Sequence, residues 1–487
     1  MKFTGKKSEL INKLIDNKDY LFDITEKYGD LLNVVLPQEI KSNIEGFNNC
    51  FKKHNLKGSI YYAHKCNHSK AIVNEMLNNN INVDVASLNE LKHVLGIGFT
   101  GEKIEATGPK NDDFILLGLR HNILFNIDNI EELLTIIEFH KKLCKKDKTN
   151  ILIRLNNFSS GENKIIPKQS RFGISIKDID IILKIVIENK EYINLKGFSY
   201  HLDTTAVKEK AIAIENIINI FGKCFEMDLD PDIINIGGGF KINYIENEKI
   251  WNEGITKLKE SILSSSNELW NDAKYGVNIQ NGTLKGALNV YNYFDKIVKE
   301  DFLDEILSYK CLNFENRQIG EILSDNMIKL MIEPGKSLLD NVGINISKVT
   351  FTKKSANGDI LVGLDMNRSN LLIGDSEILV DPILISKKDE KTSNDLVKLD
   401  EVNEGVYFIG NLCMENDILY KHKIKFDNLP KKDDLLIFIN TAGYFMDFNE
   451  SKSIMQNTAR KIVVLNKDNK FKSMLEERYD KFKQGDI

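Results

Sequence analysis

Short apolar runs, many of them β-branched, alternate with segments of helical period between residues 59 and 335. The runs at 59–64, 82–86, 103–107, 123–127, 151–155, 196–201, 233–236 and 329–332 read as strands. Between them, Ile130, Leu133, Leu134 and Ile137 recur at i, i+3, i+4, i+7, and so do Ile179, Ile182, Leu183 and Val186, the spacing of one helix face. Strand–helix alternation argues for a parallel sheet. Eight such units predict an α/β fold, a closed (β/α)8 TIM-like barrel with its active site at the carboxyl ends of the strands. After Gly343 the texture changes to short strand-like runs between polar turns, such as 358–364 and 435–439. These predict a C-terminal, mostly β domain (a β-barrel or sandwich) over 344–487, to which an N-terminal segment, 1–40, adds strands. The barrel then spans 41–343. The stretch at about 241–325 is long for one connection and carries helical period and both tryptophans, Trp251 and Trp270, so it reads as a structured insertion.

Chemistry-bearing residues fall at the predicted strand ends. Lys65 closes the first run, where leaving an ammonium buried is costly unless it is paired or neutral. A desolvated lysine has a lowered pKa and can attack a carbonyl. Arg154 ends the fifth run, His201 the sixth, Gly237-Gly238-Gly239 the seventh and Glu333 the eighth. Pyridoxal 5'-phosphate (PLP) needs a lysine for its aldehyde, a phosphate cradle, a partner for its pyridine nitrogen and something flat against its ring. Lys65, the glycine loop, Glu333 and His201 meet those needs in turn, the glycines because backbone N–H groups reach a phosphate without Cβ obstruction. Blander readings exist for each: a packing turn, a helix-start acid before Pro334, a structural histidine. If the first strand continues through Lys65, alternation turns His64, Cys66 and His68 away from it. Those three resemble a metal cluster, but no fourth ligand lies close in sequence, and the expectation is packing with no metal.

The chain has 487 residues, which favours two domains. Its formal charge of −5 offers no basic field for nucleic acid. Cys50, Cys66, Cys144, Cys224, Cys311 and Cys413 are scattered with no Cys-x-x-Cys pair, which suits a reducing, cytoplasmic setting. No secretory h-region follows the first residues and no uncharged apolar stretch could span a bilayer, so no membrane partner is expected.

The ordered motifs resemble the fold-type III PLP-dependent amino acid decarboxylases, the ornithine/arginine/diaminopimelate class with an alanine racemase-like barrel. They are Tyr62-Ala63-His64-Lys65-Cys66-Asn67, Asp84-Val85-Ala86-Ser87, Gly108-Pro109-Lys110, Asn126-Ile127-Asp128, Ser170-Arg171-Phe172-Gly173, Gly197-Phe198-Ser199-Tyr200-His201, Ile236-Gly237-Gly238-Gly239-Phe240, Glu333-Pro334-Gly335-Lys336, Gly410-Asn411-Leu412-Cys413 and Ala442-Gly443-Tyr444. The similarity covers nearly the whole chain.

That resemblance implies a Schiff base on Lys65, Glu333 on the pyridinium and His201 stacked on the ring. It puts Thr204, the glycine loop, Lys336 and Tyr444 around the phosphate, and Asp84, Arg154 and Gly335 in the cofactor site. It implies a homodimer with shared active sites. There an amino acid, or a conjugate of one, loses CO₂ to give a quinonoid, and Cys413 of a second subunit reprotonates it. Glu333 favours decarboxylation over the alternative, a racemase or epimerase, because alanine racemases typically place Arg against that nitrogen. A non-catalytic PLP-binding protein and a metal-dependent hydrolase built on His64, Cys66 and His68 are readings of other classes; the carriers lack a β domain. Three departures stand out. Lys336 replaces the usual Arg, Asp203 stands where glycine is common, and Met414 follows the cysteine where diamine-forming relatives put an acid. Glu415 is the nearest carboxylate to serve a substrate cation instead.

Overall fold

The computed structural model describes residues 1–160, 163–164, 170–202, 204, 206–371, 379–387, 405–446 and 455–479. Asp203 lies outside the described residues. The chain forms two compact units. One comprises Ile40–Lys241 and Ile297–Leu338; the other comprises Met1–Glu39, Ile242–Lys296 and Leu339–Ile487. The stretch read as a single insertion at 241–325 is therefore divided. Helix Glu248–Leu263 and the hairpin of Asn278–Gln280 with Thr283–Lys285 count with the β unit. Helices Lys299–Ser308 and Ile319–Asp325 count with the barrel.

The barrel unit is built on β1 (Gly58–Ala63), β2 (Asn82–Val85), β3 (Ile104–Ala106), β4 (Leu124–Ile127), β5 (Thr149–Asn156), β6 (Ile193–Ser199), β7 (Ile233–Asn235) and β8 (Lys329–Ile332). Each is parallel to the next, and β8 pairs back to β1 to close the ring. Strands buried on both faces read as unbroken apolar runs, and Val83, Val85, Ile104, Phe125, Ile127, Ile151 and Ile153 are all buried. The fold class anticipated from the alternation is the one observed.

Two local expectations are corrected. First, β1 stops at Ala63, and His64–Cys66 form a 3₁₀ turn rather than more strand. Strand alternation therefore does not govern Lys65 and its neighbours. Secondly, helix Ile130–Lys142 buries Leu133, Ile136, Ile137 and His140, while Leu134 is 48% exposed. Both stripes have helical spacing, and packing selects the one that starts three residues later. Helix Ile179–Glu188 buries the predicted Ile179, Ile182, Leu183 and Val186.

The second unit is mostly sheet. Strand Gly343–Lys354 runs antiparallel to Leu31–Val35 and to Leu435–Ile439, and Leu31–Val35 also pairs in parallel with Arg460–Lys467. Its core includes Leu32, Val34, Ile344, Ile346, Leu435, Ile437, Ile462 and Val464. Among the described residues no helix is long and apolar enough to cross a membrane.

Candidate active site

The site is assembled by backbone bonds where the strands end. The Ala63 amide donates to the Pro334 carbonyl at 3.3 Å, and the Glu333 amide donates to the Gly237 carbonyl at 2.9 Å. Tyr200 N–H donates to the Asn235 carbonyl at 2.9 Å. These three bonds draw the ends of β1, β6, β7 and β8 together. They frame a cavity of about 830 Å³ whose wall includes Lys65, Arg154, Arg171, His201, Thr204 and Glu333.

Lys65 is exposed to this cavity from its 3₁₀ turn. The expectation of a lysine desolvated at a buried strand end is corrected accordingly. Beside it, His64 is buried, with Nε2 2.8 Å from His93 Nδ1 and Nδ1 3.3 Å from Glu90 Oε1. Burial and the neighbouring histidines hold His93 down to about 4. Cys66 is buried as well. The trio His64, Cys66 and His68 does not converge as metal ligands among the described residues; Cys50, His54 and Asp304 do.

At the cavity wall, Glu333 belongs to a cluster of acids with Asp84 and Glu105, of which the motifs named Asp84 and Glu333 but not Glu105. Asn235 Nδ2 donates to Glu333 Oε1 at 2.6 Å and to Glu105 Oε1 at 2.9 Å, and its Oδ1 accepts from the Gly237 amide at 2.9 Å. One asparagine thus ties the glycine loop to both carboxylates. Asn126 Nδ2 also donates to Glu105 Oε1, at 2.9 Å, and Ser199 Oγ donates to Asn126 Oδ1 at 2.6 Å. Asp84 accepts from Thr107 Oγ1 at 2.7 Å. Burial, then the charge of Glu333, pushes Asp84 up to about 7, against the pull of Lys65. The same two causes, with Asp84 added, hold Glu105 well above the usual carboxylate range. Polar residues within otherwise apolar runs, Glu105 and Asn235, were the available sequence signal.

The glycines are needed for close approach. Gly237 has φ +64°, and a Cβ there would come within 2.7 Å of His201 Nδ1 and 2.8 Å of the Tyr200 carbonyl oxygen. A Cβ on Gly238 would meet the Glu333 carbonyl oxygen at 2.7 Å. The Gly238 amide meets His201 Nδ1 at 3.2 Å. Under this loop Lys210 is fully buried, donating to the Gly238 carbonyl at 2.8 Å and the Ile236 carbonyl at 3.3 Å. Desolvation lowers it to about 8, with Glu333 opposing. No motif signalled Lys210. Lys110, in contrast, is structural: it is buried against Glu132 Oε1 at 2.8 Å and the Gly108 and Asn126 carbonyls.

Two arginines and an aromatic ring share part of the cavity wall. The guanidinium carbons of Arg154 and Arg171 lie 4.7 and 4.4 Å from the centre of the Phe172 ring. Such stacking holds a guanidinium in place while leaving its donors available. Gly335 and Lys336 follow Glu333 into a 3₁₀ turn, Lys336–Leu338. They belong to the same unit without lining the cavity.

Cys413, Met414, Glu415 and Tyr444 belong to the other unit. Asp417 shapes the loop of Cys413, Met414 and Glu415: its Oδ2 accepts from the Leu412 amide and its Oδ1 from the Arg368 amide, each at 2.8 Å. Cys413 is exposed, and Met414 is 49% exposed.

The family profile described as "Pyridoxal-dependent decarboxylase, pyridoxal binding domain" matches residues 38–282, half of the chain. An uncharacterized protein of Sinorhizobium fredii is 24% identical over 436 residues, covering 89% of this chain and 87% of that one. A diaminopimelate decarboxylase of Staphylococcus aureus is 22% identical over 466 residues, covering 93% of each. The crystal structure of a diaminopimelate decarboxylase from Methanocaldococcus jannaschii superposes with a TM-score of 0.68 at 21% identity, over 96% of this chain and 94% of that one.

Proposed function

We propose that this chain, which belongs to the pyridoxal-dependent decarboxylases, removes the α-carboxylate of an amino acid or amino acid conjugate at the Lys65 cavity. The family's cofactor is PLP, and the residues present fit it. Asp84, Glu105 and Glu333 crowd three buried acids together, and two of them are pushed toward their protonated forms. A positively charged ring nitrogen against Glu333 would relieve that crowding. The glycine loop leaves, beside His201, the room that a Cβ would fill. Bound there, the ring supplies a sink for the electron pair that CO₂ leaves behind.

The residues then divide the work. Lys65 would hold the cofactor through its aldehyde. Glu333, oriented by Asn235, keeps the pyridine nitrogen protonated. Asp84 would add a second acid near Glu333, and Thr204, on the cavity wall, would serve the phosphate. His201, on the cavity wall, would supply a flat face for the ring. Arg154 and Arg171 attract and orient an anionic substrate group at the cavity wall. Cys413, on its braced loop, delivers the final proton to the cavity of a second copy, so the working form is a homodimer. Met414 offers no charge to a distal ammonium, and Glu415 is the candidate in its place. Six free cysteines agree with a reducing, cytoplasmic setting.

The observation that carries this reading is Glu333 at the end of β8, hydrogen-bonded to Asn235 in the cavity that Lys65 enters. An acid on the pyridine nitrogen makes the ring a strong sink, which decarboxylation requires. The test is a panel of L- and D-amino acids and dipeptides, followed for CO₂ release and for exchange of the α-proton with solvent. CO₂ release that requires Lys65 is expected. Exchange without CO₂ would make the protein a racemase or epimerase.

A further inference from the structure

Helices Ile40–Lys53 and Lys299–Ser308 pack together in the barrel unit, and neither lines the cavity described above. Cys50 and His54 come from the end of the first, four residues apart. Glu300 and Asp304 come from the second at the same spacing. Residues four apart share a helix face, so two polar pairs confront each other across a helix–helix contact.

Cys50 Sγ, a nitrogen of His54 and a carboxylate oxygen of Asp304 all lie within 4.8 Å of one another. His54 Nε2 is 2.7 Å from Asp304 Oδ1, and Lys53 Nζ donates to Asp304 Oδ2 at 2.7 Å. The imidazole is wedged in this pose: a Cβ on Gly320 would come within 2.7 Å of its Nδ1. Glu300 lies flat against the backbone one turn before Cys50, where a Cβ on Gly46 would meet its Oε2 at 2.8 Å. That oxygen is buried with no hydrogen-bond partner. Around the Cys50 thiol, Asp304, Glu300 and Asp301 act as negative charges, and Lys53 is the positive one.

An ion-pair stitch accounts for Lys53, His54 and Asp304. It leaves two things unexplained: a buried cysteine aimed into the same cluster, and an orphaned carboxylate oxygen that burial should penalise. A cation accounts for the first directly, and its charge offsets the second from close by. We propose that Cys50, His54 and Asp304 bind a divalent metal ion, with water in the fourth position and the charge of Glu300 nearby adding to its attraction. Thiolate, imidazole and carboxylate together suit Zn²⁺. On binding, the thiol loses its proton to solvent, His54 offers Nε2 with its proton on Nδ1, and Asp304 keeps Lys53 on its second oxygen. The ion would clip together segments 250 residues apart in sequence, at the amino-terminal end of the barrel, where conserving structure rather than catalysing chemistry is the rule. This site is independent of the decarboxylase reading.

The test uses the full-length PLP-loaded protein, stripped with a chelator, re-exposed to Zn²⁺ and desalted. One zinc per chain, measured by elemental analysis, and a raised thermal-unfolding midpoint are expected. Co²⁺ in its place should give the visible bands of a four-coordinate ion with a thiolate charge-transfer feature. Cys50→Ala and Asp304→Asn should each lose the zinc and the rise in midpoint. His54→Gln, which keeps a polar side chain of similar size, serves if Cys50→Ala does not fold. Gly320→Ala, which touches no donor atom, should weaken binding roughly ten- to a hundredfold by displacing the imidazole. Failure of the native protein to retain zinc overturns the proposal. So does zinc retained equally by these variants, since the ion then sits elsewhere.

Discussion

Replacing Lys210 with methionine should weaken cofactor binding while lowering the stability of the cofactor-free protein by no more than about 3 kcal/mol. The side chain is fully buried beneath the glycine loop, and its ammonium holds the carbonyls of Gly238 and Ile236. Methionine keeps the length and fills the volume, but removes the charge and both hydrogen bonds. Burial has moved this lysine from 10.5 down to about 8, a displacement worth roughly 3 kcal/mol against its charged form. Lys210→Met relieves that penalty and orphans two carbonyls at about 1–3 kcal/mol each. The net effect on the cofactor-free protein therefore lies between about 3 kcal/mol of loss and about 1 kcal/mol of gain.

The sign with pH follows. Below about pH 8 the ammonium is charged in both folded and unfolded chains, so the full penalty applies. Between about 8 and 10.5 the folded chain sheds its proton first, and native stability rises with pH. The stability of Lys210→Met relative to the native protein should thus be highest below pH 8 and fall as pH rises toward 10.5. Cofactor affinity should fall with the substitution. A charge-assisted hydrogen bond that braces the cradle is worth about 1.5–3 kcal/mol, hence a roughly 10- to 150-fold weaker Kd. Fluorescence titration of the cofactor-free protein with PLP, beside thermal unfolding across pH, measures both. Unchanged PLP affinity, or a cofactor-free variant destabilised by more than about 3 kcal/mol, would refute the reasoning and make Lys210 an ordinary structural strut.

Three further outcomes follow from the same geometry. Glu333→Gln keeps the Asn235 contact but loses the pyridine proton's partner, so single-turnover CO₂ release should fall about 10²–10⁴-fold with PLP still bound; an unchanged rate would remove Glu333 from the chemistry. Gly237→Ala forces a side chain into φ +64° and against His201 Nδ1, at about 1–2 kcal/mol for the backbone alone. Equilibrium titration should show PLP binding weakened by about tenfold or more. Asp84, raised from 3.8 to about 7, holds a proton in the folded chain that the unfolded chain has lost. Stability from this group therefore falls as pH rises from about 4 to 7. Asp84→Asn should remove that slope in cofactor-free protein, gaining up to roughly 4 kcal/mol by pH 8 in chemical denaturation; parallel curves for the two proteins would discount the assignment.

The barrel was legible because its strands are buried on both faces, and such strands read as continuous apolar runs. The residues at their ends were legible for the same reason: Lys65, His201 and Glu333 interrupt apolar sequence where a strand must stop. The turn at His64–Cys66 was not, because the backbone angles of so short a 3₁₀ turn are set by the surrounding fold and not by the residue types His, Lys and Cys. Lys210 was hidden as well, being a lysine on a helix whose other lysines are solvated. The acid cluster could have been read from Glu105 and Asn235, which sit where an apolar residue would otherwise be expected. Cys50, His54 and Asp304 could not be grouped from sequence, since only folding brings Asp304 to the other two. The division of the 241–325 stretch between two units is a tertiary outcome of the same kind.

Lys65 is the residue on which the whole account depends, and borohydride tests it most directly. Reduction of the freshly purified, PLP-loaded protein, then proteolysis and mass spectrometry, should find a pyridoxyl group fixed on the Lys65 peptide and absent from Lys65→Ala. A pyridoxyl group on another lysine, or none on a protein that still releases CO₂ from an amino acid, would contradict it.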